Sequence, residues 1–137
     1  KRVDTVMISG NDLMQASMSG PDHCAIIISY SGETTHILHL AKKLKSKHTP
    51  IIAITSISKS TLVKLSDVSL RISSREMLNT KIGDFASTES ITCILDILYS
   101  CYFSLNYKEN LNYKLSIAGE IDDQYSEYEY IDETKIK

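Results

Sequence analysis

Residues 24–35, Cys24-Ala25-Ile26-Ile27-Ile28-Ser29-Tyr30-Ser31-Gly32-Glu33-Thr34-Thr35, hold the transition on which the fold turns. The first five are continuously apolar and mostly β-branched, the composition of a strand buried on both faces in a parallel sheet. A loop rich in hydroxyls follows and opens into a helix expected over about 35–47. Its apolar positions Ile37, Leu38, Leu40, Ala41 and Leu44 fall on one side, whereas His36, His39, Lys42, Lys43 and Lys47 lie mostly elsewhere. Beyond Pro50 a second apolar run, Ile51-Ile52-Ala53-Ile54-Thr55, predicts another buried strand. Strand, helix and strand in that order make a βαβ unit. The expected fold is therefore α/β, a three-layer α/β/α sandwich with a mostly parallel sheet.

Outward from this unit the pattern continues. Toward the N-terminus, Val3 to Ile8 alternate as a short strand would, Ser9-Gly10-Asn11-Asp12 supply a turn and a helix cap, and Leu13 to Met18 fit a short helix stopped by Gly20-Pro21. Toward the C-terminus a short helix is expected over 59–66, a strand from Val68 to Ile72, a loop over 73–86 and a long helix over 87–106. The polar residues of that long helix, Glu89, Thr92, Asp96 and Ser100, form one narrow stripe. The rest, including Ile91, Ile94, Leu95, Leu98, Tyr102 and Phe103, is apolar or aromatic. A surface that wide needs two packing partners, a sheet on one side and a second subunit on the other, so a homodimer is expected. Residues 107–137 are different in kind, acidic and holding five of the eight tyrosines. The expected division is a domain over 1–106 and an acidic, Tyr-rich extension over 107–137.

At 137 residues the chain has the length of one domain with its own core. No apolar run approaches the ~20 residues that span a bilayer. Cys24, Cys93 and Cys101 lack metal-ligand spacing and lie in apolar stretches, which predicts buried free thiols in a reducing, cytoplasmic setting. Residues 1–106 carry 11 Lys/Arg against 9 Asp/Glu, and residues 107–137 carry 4 against 8. That balance provides no strongly basic surface with which this segment alone would grip DNA.

Chemistry concentrates in the loop after the first apolar strand, because ligands of an open parallel sheet bind beyond the C-terminal ends of its strands. If the strand continued, Ser29 and Ser31 would point to the same side. Gly32 would let the backbone approach a ligand closely. Thr34 sits where the helix opens, so its hydroxyl and the first helical N–H groups converge at the positive helix end. These donors suit a phosphate ester. The same residue types also suit plain helix capping, and spacing alone does not separate the two.

Ser29-x-Ser31-Gly32-x-Thr34, following Ala25-Ile26-Ile27-Ile28, resembles the phosphate-binding motif of SIS (sugar isomerase) domains. Ile52-Ala53-Ile54-Thr55-Ser56 is similar to the next strand of that family and its ligand-facing end, and the helix beginning near Ser87 is similar to its last helix. The resemblance covers residues 1 to about 106. It implies that Ser29, Ser31, Gly32 and Thr34 hold a sugar phosphate, that Thr55 and Ser56 line the adjacent wall, and that Glu76 and Ser87 are weaker candidates for the sugar side. Within the family the chain looks most like the effector domain of RpiR-type transcription regulators. The resemblance to these implies sensing of a sugar phosphate, with DNA bound through an N-terminal helix-turn-helix domain that this chain lacks. It also implies a strand upstream of Lys1, lying between residues 3–8 and 24–30 in the sheet.

The rival expectation is an aldose–ketose sugar-phosphate isomerase on the same fold, which needs a base to move a proton between neighbouring carbons. Glu33, Glu76, Glu89 and the histidines are the candidates, and no catalytic pair stands out among them. His36 and His39 lie three apart on a helix, but no third ligand completes a metal site by spacing, so neither metal nor cofactor is expected. Lys42, Lys43, Lys45 and Lys47 end their helix where cations complement its negative terminus.

Overall fold

The computed structural model describes residues 3–8, 10–72 and 85–122. Eight elements follow in order: α1 (Asp12–Met18), β1 (Ala25–Ile28), α2 (Thr35–Ser46), β2 (Ile51–Thr55), α3 (Thr61–Leu65), β3 (Val68–Arg71), α4 (Phe85–Leu105) and α5 (Tyr107–Asp122). The strands form a parallel sheet in the order β1-β2-β3, with Ala25 opposite Ile51, Ile28 opposite Ile54, and Thr55 opposite Arg71. This is the mixed α/β class that the sequence predicts.

Two crossovers that step in the same direction across the sheet, each right-handed, place α2 and α3 on one face. There α1 packs on α2 and α2 on α3. The core lies between these helices and the sheet, and is made of Ala16, Ile27, Ala41, Leu44, Ile51, Ala53 and Leu62. The register explains this membership: Ala25, Ile27, Ile51 and Ala53 share one face of the pleat because side chains alternate along a strand. Asp67 ties the start of β2 to that of β3. Its carboxylate accepts the Ile51 N–H at 2.8 Å, and its own N–H donates to the Ile51 carbonyl at 2.9 Å.

By contact the chain divides into two compact units, Lys1–Leu95 and Asp96–Lys137. In the second, Tyr99, Phe103 and Tyr107 pack ring against ring, with centroids 6.0 and 5.7 Å apart. The Asn110 side-chain amide donates to the Phe103 carbonyl at 2.9 Å, satisfying one of the carbonyls freed at the C-terminus of α4.

Four expectations need correction. Residues 3–8 form no strand and are exposed throughout, because alternation makes a strand only where a ladder partner is present. β1 is buried on one face only: Ile27 faces the core, whereas Ile26 and Ile28 are exposed. All three cysteines are exposed rather than buried. The reason lies in their neighbours, since Cys24 precedes the first β1 residue and α4 buries only Ser87. Residues 107–122 form a helix that the sequence had not suggested.

Candidate phosphate-binding site

β1 ends at Ile28, so Ser29 and Ser31 do not inherit the alternation of the strand. The loop is shaped instead by hydrogen bonds of its own. Ser29 Oγ, itself buried, accepts the Gly32 N–H at 3.2 Å, and Ser31 Oγ accepts the Glu33 N–H at 3.2 Å. A hydroxyl has one donor and two acceptor sites, so both serines, having accepted from the backbone, keep their O–H protons available to a ligand. Gly32 makes the turn possible with a φ of +65°, in the left-handed region.

Thr34 is the N-cap of α2, but its side chain makes no capping hydrogen bond. The first intrahelical bond runs from the Leu38 N–H to the Thr34 carbonyl at 3.0 Å, so the N–H groups of Thr35, His36 and Ile37 have no partner within the helix. The first turn of α2 contains no acidic residue. A helix end with free donors, a positive dipole and no competing carboxylate is suited to an anion. Of the two readings of these hydroxyls, capping does not describe Thr34.

Thr55 and Ser56, expected to line the wall, have another task. The Thr55 hydroxyl, 1% exposed, donates to the Tyr30 carbonyl at 3.0 Å. The Ser56 hydroxyl donates to the same oxygen at 2.6 Å and the Ser56 N–H at 3.0 Å. Three donors on one carbonyl hold the cradle loop against the end of β2. Ser87 is buried in the first turn of α4. Glu76 lies outside the described residues.

Two participants were not foreseen. Ser60 caps α3, accepting the Val63 N–H at 3.4 Å, and its side chain fills the space directly beneath Gly32. A serine before an apolar pentapeptide could have signalled the cap, though not the contact with Gly32. Asp12 was read only as part of a turn. Its carboxylate pairs with His36 Nε2 in the first turn of α2, and that hydrogen bond is the main reason its pKa is held below the usual carboxylate range. Among the described residues no group of His, Cys, Asp and Glu is placed to hold a metal. No described helix is long and apolar enough to cross a membrane.

The SIS domain family model matches residues 4–101, and the chain belongs to the SIS domain family. The chain is similar to an uncharacterized HTH-type transcriptional regulator of Thermotoga maritima, 38% identical over 98 residues. That match covers 69% of this chain and 34% of the relative. Among solved structures it is similar to the Vibrio vulnificus NanR protein complexed with ManNAc-6P, with a TM-score of 0.67 and 24% identity over 80% of this chain and 42% of that one. It is also similar to a protein of E. coli CFT073 solved in complex with a sugar phosphate, with a TM-score of 0.60 and 26% identity over 71% of this chain and 50% of that one. The chain thus spans about a third of the length of its curated relative and half or less of these solved chains.

Proposed function

We propose that this chain is the sugar-phosphate-sensing part of a transcription regulator, acting as a homodimer and contacting DNA through a separate helix-turn-helix domain. The observation that carries the proposal is the uncommitted donor set at one loop: the Ser29, Ser31 and Thr34 hydroxyls beside the unpartnered N–H groups of Thr35, His36 and Ile37. Two likenesses support it, that of the Thermotoga maritima regulator and that of the E. coli protein with its sugar phosphate.

The phosphate sits at the positive end of α2. Ser31 and Thr34 donate to its oxygens and Ser29 donates from below. The backbone amides of the first helical turn supply the remaining hydrogen bonds, which are stronger for a charged acceptor than for a neutral one. Gly32 keeps the path to the backbone clear. Thr55 and Ser56 act through the Tyr30 carbonyl, and the sugar extends toward the wall to which Glu76 and Ser87 are assigned. Nothing in this scheme requires a proton to move between carbons.

Calorimetric titration with a panel of sugar phosphates, run beside an assay for aldose–ketose conversion, tests the proposal. Binding without conversion is expected. Conversion beyond one turnover per chain would make the protein an isomerase.

A further inference from the structure

Glu33 is the only charged residue of the hydroxyl loop, and as a carboxylate beside a phosphate site it looks misplaced. The structure gives it a partner 28 residues away. Glu33 Oε1 accepts the Thr61 N–H, the first helical amide of α3, at 2.6 Å. The next amide, Leu62 N–H, donates to the Gly32 carbonyl at 3.1 Å, and the third, Val63 N–H, goes to the Ser60 hydroxyl. Of the first three α3 amides, which a helix cannot satisfy from within, two are taken by adjacent residues of the cradle loop.

We propose that Glu33 is the positioning residue of this site: its carboxylate clasps the loop to α3 and thereby holds Ser31 and Thr34 where a phosphate is received. The clasp rests on the sugar-phosphate proposal only for what the loop receives. It also accounts for the charge. Anchored at the positive end of α3, the carboxylate is neutralised there rather than repelling an anion at the end of α2. Its pKa is held down chiefly by the Thr61 N–H, then by the Thr61 hydroxyl, with Lys64 on α3 adding a smaller attraction. A group so committed is a poor proton shuttle, which removes Glu33 from the candidate bases of an isomerase.

The test uses the full 137-residue chain, its Glu33→Ala and Glu33→Gln variants, and inorganic phosphate as the probe. Amide NMR follows both phosphate binding at residues 34–37 and hydrogen exchange at Thr61 and Leu62. Loss of a charge-assisted hydrogen bond corresponds to about a tenfold effect or more. Glu33→Ala is expected to weaken phosphate binding and to speed Thr61 and Leu62 exchange by about that factor, leaving the Ile54 amide in β2 unchanged. Glu33→Gln keeps an acceptor oxygen and is expected to stay within about threefold of the parent. Parent-like exchange and affinity in Glu33→Ala, or a Glu33→Gln as impaired as Glu33→Ala, would overturn the clasp. If phosphate moves no amide in the parent, the sugar-phosphate proposal fails instead, and the exchange rates alone decide the clasp.

Discussion

Gly32 lies directly over Ser60: a Cβ at position 32 would come within 2.7 Å of Ser60 Cβ and 3.2 Å of Thr55 Oγ1. The cradle is thus pressed onto the N-terminus of α3 and the end of β2 with no room for a side chain. Gly32→Ala therefore carries two penalties, about 1–3 kcal/mol for the left-handed backbone and about 1–3 kcal/mol for overpacking. Urea denaturation should show a loss in that range together with lost ligand binding. An alanine variant as stable as the parent would mean that the loop is not held where the structure puts it.

Thr34→Ala and Ser60→Ala separate binding from folding. Thr34 makes no capping bond, so its loss should leave stability within about 0.5 kcal/mol while weakening sugar-phosphate affinity. Ser60 is a cap, so its loss should cost about 0.5–2 kcal/mol of stability. Chemical denaturation beside calorimetric titration reads both. Equal effects of the two substitutions on stability would count against the assignment.

What the sequence made legible was whatever is local. The runs Ala25–Ile28 and Ile51–Thr55 announce buried strands because a parallel sheet demands continuous apolar residues, and the one-sided apolar pattern of 35–46 announces α2. The donors of the site lie within one loop and were equally visible. The braces were not. Thr55 meets the Tyr30 carbonyl across 25 residues and Glu33 meets Thr61 across 28, and no periodicity encodes such contacts. Val3–Ile8 failed for the opposite reason: the pattern is correct for a strand, but a strand exists only in a ladder. α5 was missed because its lysines, tyrosines and asparagines mark no clear apolar face.

Acid should loosen the region around α2. Asp12 and Glu33 both have folded pKa values below the ordinary ones, through His36 and Thr61 respectively. A carboxyl depressed in the folded state binds protons more readily when unfolded. Its contribution is therefore present above the ordinary carboxylate pKa and lost as pH falls below about 4, through the folded values. Asp12→Asn should flatten the acid limb of a stability–pH curve. A parent-like slope below pH ~4 in Asp12→Asn with Glu33→Gln would contradict both pairings.

Ile97, Tyr99, Tyr102 and Leu105 of α4 are exposed in the single chain, as expected of a surface that a second copy covers. Sedimentation at high micromolar concentration should show a dimer, and Tyr102→Glu should yield monomers or aggregates. A parent protein that remains monomeric would refute the dimer.

The central claim is that this loop receives a phosphate. Thermal unfolding of the 137-residue chain with each sugar phosphate, and with the matching unphosphorylated sugar, tests it most directly. The account predicts that at least one sugar phosphate stabilises the chain, by roughly 2.7 kcal/mol at 100 times its Kd, that the bare sugar does not, and that Ser31→Ala loses most of the effect. Stabilisation by bare sugar equal to that by its phosphate, or a Ser31→Ala variant that responds as the parent does, would contradict it.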